Sequence, residues 1–184
     1  MDKTISVNER VFQIETLLGK GKGGYSYLVH KNDQQFVVKQ IHHEPCSYYQ
    51  FGDKLASELH DYEKLHKTGL PMPAMLDVDK TNERILKEYV PGSTIFDYVL
   101  QDRMKDDYLR QVKSMCALLY PLGINIDYFP TNFVVYKDKL YYIDYECNNY
   151  MEEWNFENWG IKYWSKTKEF QEYLNQHNKH QHYN

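Results

Sequence analysis

The sequence predicts an α+β chain: an antiparallel amino-terminal sheet carrying one helix, then a mainly helical carboxy-terminal part. Three observations lead there. Five β-rich runs precede residue 91, set off by short polar turns or prolines. One stretch with helical apolar spacing lies among them. Beyond Pro91-Gly92 the apolar spacing becomes mostly three to four residues.

The elements follow in order. Residues 11–18 alternate loosely and end at Gly19. Residues 25–29 and 36–41 are β-rich and flank Lys31-Asn32-Asp33-Gln34, a hairpin-type turn. A helix is expected over about 50–67, where Leu55, Leu59, Tyr62 and Leu65 share a face. Gly69 ends it, and Pro71 and Pro73 forbid its continuation. Strands at 74–78 and 84–90 surround Asp79-Lys80-Thr81-Asn82, and Pro91-Gly92 reads as a linker. Helices are expected at about 94–100 and 105–120, the second with Leu109, Val112, Met115-Cys116 and Leu119 in register. Two short strands, 133–136 and 139–143, are joined by Lys137-Asp138. Residues 154–174 read as helical, with Trp154, Phe156, Trp159, Tyr163, Trp164 and Phe170 as aromatic anchors. This divides the chain into an amino-terminal lobe at 1–90, a reduced carboxy-terminal lobe at 91–175 and a disordered tail at 176–184. The tail's His177, His180 and His182 lack helical context and read as solvated rather than metal-binding.

Composition narrows the function classes. At 184 residues the chain is one domain or two small lobes, and 42% hydrophobic content supplies a core. The 18 tyrosines bring buried ring area with a polar edge. A net charge of -4 disfavours nucleic acid as a direct ligand. Cys46, Cys116 and Cys147 form neither a disulfide framework nor a zinc pattern. Met1-Asp2-Lys3-Thr4 opens a polar stretch unlike a signal peptide, and no apolar run approaches the roughly 20 residues a membrane helix needs. A soluble, cytoplasmic protein without membrane attachment is the expectation.

Three motifs carry chemistry. Gly19-Lys20-Gly21-Lys22-Gly23-Gly24 lies between two strands, where bare backbone lets N–H groups approach phosphate oxygens. Two registers compete: Gly19, Gly21 and Gly24 as G-x-G-x-x-G, or Gly21 and Gly23 with Ser26 in third place. A flexible hairpin rich in Gly and Lys is the plain alternative. Lys39 ends Phe36-Val37-Val38-Lys39, and an ammonium on a buried strand needs a counter-charge. Glu58 and Glu63, on different faces of the expected helix, are the candidate partners, with a surface glutamate as the plain alternative for either; the resemblance given below favours Glu58. Finally, Asp127 is followed by Asn132 five residues later and by Asp144 after a strand. One carboxylate can orient a hydroxyl nucleophile while the amide and the second acid hold Mg²⁺ on ATP. Turn residues capping local backbone are the plain alternative for each alone.

These residues resemble the protein-kinase-like superfamily, whose catalytic loop reads H-R-D-x-x-x-x-N and whose metal loop reads D-F-G. The resemblance covers residues 19–146. It implies a two-lobe fold, ATP as ligand, and Mg²⁺ or Mn²⁺ as cofactor. It further implies that Gly19, Gly21, Gly23 and Gly24 cradle phosphates, Lys39 holds the α- and β-phosphates, and Glu58 positions Lys39. Main-chain groups of Glu88 and Val90 would pair with the adenine edge. Asp127 would orient the acceptor hydroxyl, with Asn132 and Asp144 on the metal. Pro130 also matches. Four departures stand beside these matches. Lys87 lies where an apolar gatekeeper is usual, and Asn125 replaces the His of H-R-D. Phe129 occupies the place of a phosphate-steadying Lys, and Asp144-Tyr145-Glu146 replaces D-F-G. That last triplet is similar to the I-D-[FWY]-E of choline kinases and aminoglycoside phosphotransferases. The short chain and the helix-to-proline spacing are similar to the small kinases of the KEOPS and RIO types, and no A-P-E occurs. The acceptor expected first is a protein serine or threonine, and second a small-molecule hydroxyl. A non-catalytic nucleotide-binding scaffold is the third reading, and an activating protein partner fits so short a carboxy-terminal lobe.

Overall fold

A computed structural model describes residues 3–44 and 52–181, with side chains through residue 177. Cys46, positions 50 and 51 of the expected first helix, His182 and the His180 side chain lie outside them. The chain is mixed α+β and every strand pairing is antiparallel. By internal contacts it divides into one unit of Met1–Lys64 with Pro73–Tyr89 and a second of Leu65–Met72 with Val90–Asn184.

The first unit is a six-stranded sheet of β1 (Thr4–Val7), β2 (Arg10–Lys20), β3 (Gly24–Lys31), β4 (Gln34–Ile41), β5 (Met75–Asp79) and β6 (Arg84–Glu88), in the order β1-β2-β3-β4-β6-β5. The expected β3–β4 hairpin closes through Asn32 (φ 49°) and Asp33 (φ 60°). Two consecutive left-handed residues are what a two-residue turn needs to match strand twist, and Asn and Asp tolerate it best after Gly. Strand β1 was not expected, because Thr4–Val7 is too short for its alternation to register. It matters nonetheless. Arg84 Nη1 donates to Ser6 O (2.7 Å), and Asn8 N donates to Asp79 Oδ2 (2.8 Å). These bonds curl the sheet so that β1 meets the β5–β6 hairpin. The Asp79 carboxyl is held below its ordinary value first by Asn82, whose side chain and backbone N–H both donate to it. Ile5, Val7, Phe12, Val29, Val38 and Leu86 fill the curl, with Phe12 edge-on to Phe36. Helix α1 (Lys54–His66) starts where the Asp53 side chain caps the Ala56 N–H (2.9 Å).

The second unit holds β7 (Ser93–Thr94), α2 (Ile95–Leu100), α3 (Asp106–Leu119), β8 (Ile124–Ile126), β9 (Phe133–Tyr136), β10 (Lys139–Tyr142), β11 (Cys147–Asn149) and α4 (Lys168–Gln181). They make a three-stranded sheet β10-β9-β7 and a pair β11-β8. The Thr94 hydroxyl accepts from Asp97 N, and Asp97 returns the bond to Thr94 N, a reciprocal cap that starts α2. Val112, Met115, Cys116 and Leu119 of α3 are buried against Ile126, Phe133, Leu140 and Tyr142.

Three expectations are corrected here. Pro91-Gly92 is not only a linker: β7 follows at once and pairs with β9, and a Cβ on Gly92 would overlap the Val135 carbonyl. Residues 154–174 are not one helix. They form 3₁₀ turns at Glu152–Trp154 and Gly160–Tyr163, and α4 begins only at Lys168. Asn155 breaks the helix by accepting from Asn158 N on its side chain (2.8 Å), and Gly160 lets the chain lie on Tyr128. The aromatics therefore act as separate anchors, with Trp164 Nε1 donating to Tyr128 O (2.8 Å). Of the expected disordered tail, residues 176–181 instead continue α4, and His177 stacks on Tyr173. Among the described residues no helix is long and apolar enough to cross a membrane.

Gly92→Ala should destabilise the chain by roughly 1–3 kcal/mol, because backbone must move to admit the methyl group. Urea unfolding measures it; an unchanged midpoint would show that β7 does not pack on β9 as described.

Candidate active site

The first unit brings the glycine-rich loop, Lys39 and Glu58 together. Lys39 sits on β4 opposite Ser26 of β3 and Ile85 of β6. Its ammonium lies 2.8 Å from each Glu58 carboxylate oxygen. The two side chains are 14% and 9% exposed, enough shielding that neither charge stands alone cheaply. Glu63 is exposed, as its different helix face requires.

The four glycines divide by what surrounds them. A Cβ on Gly24 would overlap the Gln40 carbonyl, so this position serves the close β3–β4 approach. A Cβ on Gly23 would sit 3.7 Å from Lys39 Nζ, while Gly19 and Gly21 have open space beside them. The tip is compact, with Gly21 N donating to Gly24 O (2.9 Å).

Sequence reasoning missed what holds this loop. Lys54 is buried in the first turn of α1, where a cation opposes the helix dipole. Its ammonium instead donates to the carbonyls of Lys22 (3.1 Å) and His42 (2.6 Å). His42 Nε2 lies 2.9 Å from Gly21 O. One lysine thus ties the loop to the helix that carries Glu58. The only sequence signal was an ammonium placed just after the helix cap. Lys87 is buried on β6 opposite Val37, on the sheet face that also bears Lys39. At Glu88, the N–H donates to Ala74 O and the carboxylate accepts from Ala74 N, both at 2.9 Å.

The second unit gathers the other three residues and is where Val90 begins. Asp127 follows β8 and its carboxylate accepts from Phe129 N (3.0 Å). Asn132 ends a 3₁₀ turn begun by Pro130, and its Nδ2 donates to Asp127 O (3.3 Å). Asn132 O accepts from Ile143 N (2.9 Å), which sets Asp144 beside that turn. The Asp144 carboxylate accepts from Tyr145 N (2.8 Å).

At the centre is Tyr142, another residue not singled out from sequence. Its hydroxyl donates to Glu146 O (2.8 Å) and accepts a longer bond from Asp127 N (3.4 Å). Burial first, then the negative charges of Asp144, Asp127 and Glu146, push its phenol well above the ordinary value. The phenol therefore joins the backbone of the Asp127 loop to that of the Glu146 loop. Asn125 is buried and donates to Met151 O (2.9 Å), a structural task. Phe129 packs among Phe96, Trp159, Tyr163 and Tyr173.

The oxygen donors suit a hard divalent cation that keeps most of its shell for water and phosphate: the Asn132 amide oxygen and the Asp144 carboxylate. Among the described residues no group of three His, Cys, Asp or Glu side chains is arranged to hold a metal unaided.

Two outcomes follow. Lys39→Met or Glu58→Gln alone should cost roughly 1–3 kcal/mol, and the double variant should cost clearly less than the sum. Strict additivity in chemical denaturation would contradict the ion pair. The second concerns pH. The folded-state pKa of Tyr142 is raised, so its contribution is complete below the unfolded value of about 10 and is lost as pH rises beyond it. Tyr142→Phe should flatten the fall in unfolding free energy above pH 10 by about 1.4 kcal/mol per pH unit. An identical slope in both proteins would place that phenol in water.

No protein-family model matches this chain, and no curated protein matches it in sequence, so its own residues carry the functional conclusion.

Proposed function

We propose that the chain is an ATP-dependent phosphotransferase with a two-lobe, protein-kinase-like architecture, acting on a hydroxyl, foremost a protein serine or threonine. The observation that carries this reading is the Lys39–Glu58 pair, with both carboxylate oxygens 2.8 Å from the ammonium beside a glycine-rich turn. A paired ammonium keeps a fixed position and a full positive charge, which suits it to the α- and β-phosphates. Gly19, Gly21 and Gly23 leave room for phosphate oxygens to approach the backbone, while Gly24 secures the strands behind. The main chain at Glu88 and Val90 would meet the adenine edge.

Asp127 would accept a hydrogen bond from the acceptor hydroxyl and take its proton as the oxygen attacks the γ-phosphorus and ADP departs. Its carboxylate orientation is fixed by Phe129 N. Asn132 and Asp144 would hold Mg²⁺, or Mn²⁺ in its place. When bound, that ion neutralises charge on the β- and γ-phosphate oxygens. The retention of Lys39, Glu58, Asp127, Asn132 and Asp144 supports an enzyme over a nucleotide-binding scaffold, which has no chemical need of all five.

The test is thermal unfolding with ATP and Mg²⁺. At one hundred times Kd a ligand stabilises the native state by about 2.7 kcal/mol, a rise of roughly 5–10 °C for a chain of this size. The rise should need the metal and vanish in Lys39→Ala and Asp144→Ala. Phosphate transfer, followed as autophosphorylation or ATP hydrolysis, should vanish in Asp127→Ala. Binding without turnover would favour the scaffold; no rise at saturating nucleotide would remove the nucleotide site itself.

A further inference from the structure

We propose that Met151, Trp154 and the carboxylates between them form a docking surface for a basic, apolar segment of the phosphate-accepting protein. This names the acceptor class and rests on the phosphotransferase reading. Met151 and Trp154 are each 51% exposed. A single exposed apolar side chain means little, but here two flank Glu152 and Glu153 along four consecutive residues. Met151, Glu152, Glu153 and Asn158 line an open depression of about 580 Å³. Among the described residues neither glutamate takes part in an ion pair. Such a surface is complementary to a segment with Lys or Arg beside an apolar residue. A guanidinium can meet a carboxylate with two bonds and lie on the Trp154 face.

The surface is held firmly. Asn158 Nδ2 donates to Glu152 O (2.9 Å), and Asn155 Nδ2 donates to Tyr150 OH (3.1 Å). It is also connected to the proposed catalytic loop by two routes. Asn125 Nδ2 donates to Met151 O (2.9 Å) from β8, two residues before Asp127. Trp154 packs edge-on to Trp159 at 5.8 Å, and Trp159 lies 6.4 Å from the ring of Phe129, whose N–H holds the Asp127 carboxylate. A segment seated here would lie on residues tied to the Asp127 loop. An open surface suits an extended segment better than a small ligand, which favours a concave site that buries most of its surface.

The test uses a fluorescent synthetic peptide with one serine and a leucine flanked by arginines, and a control with glutamates in place of the arginines. Fluorescence anisotropy should show the basic peptide binding and the acidic one not, with affinity falling as salt rises. Glu152→Lys with Glu153→Lys should weaken binding roughly tenfold or more, and Trp154→Ala should weaken it as well. The same variants should keep the ATP- and Mg²⁺-dependent thermal shift, which separates this surface from the nucleotide site. Equal binding of both peptides, unchanged binding in the charge-reversed variant, or full displacement of the basic peptide by millimolar choline would overturn the proposal. Loss of the nucleotide shift in the wild type would instead sink the phosphotransferase reading.

Discussion

An ammonium on a shielded sheet face must have a counter-charge that cannot wander away, and this requirement organises the first unit. Lys39 is fixed by β4, so the glutamate has to be delivered by a helix crossing that face. Three features of α1 achieve this: the Asp53 cap sets where it begins, buried Leu55 sets which face turns inward, and Lys54 sets its distance from the loop. Glu58 then falls one turn beyond Leu55, on the Lys39 side. Strand, helix and glycine-rich loop thus form one interdependent body, and movement of α1 would disturb both the ion pair and the loop.

The second unit carries its acids on two loops that must be tied together. Tyr142 is the tie. Its phenol, kept neutral by burial, donates to one loop and accepts from another, joining the two loops that hold the acids. Backbone N–H groups one and two residues on fix the Asp144 and Asp127 carboxylates. Side chains held this way need little reorganisation, the condition that the proposed phosphate transfer would require.

Strands β2 to β6 and helices α2 and α3 were legible because their apolar periods are long or their turn residues diagnostic. Asn32-Asp33 is an example of the second. The need for a Lys39 counter-charge was also legible, since desolvation demands a partner; the helical pattern offered two candidates on different faces, and the family resemblance chose Glu58. Other features had no local signature. Strand β1 pairs locally with β2, but its contact with the β5–β6 hairpin rests on bonds that Ser6 and Asn8 make with Arg84 and Asp79. Residues 154–174 misled because aromatic spacing resembles a helix whether the rings share one face or anchor separately; Asn155 and Gly160 were the contrary signals. Lys54 and Tyr142 looked like an ordinary helix lysine and strand tyrosine, and only tertiary partners distinguish them.

In the proposed function the Lys39 ammonium, held by Glu58, faces nucleotide phosphate. The most direct measurement is labelling with an acyl-phosphate derivative of ATP, which transfers its acyl group to a lysine lying beside the bound phosphates, followed by mass spectrometry of the peptides. The account predicts acylation concentrated on Lys39 and suppressed by excess ATP with Mg²⁺. Acylation spread over the exposed lysines and indifferent to ATP would contradict it.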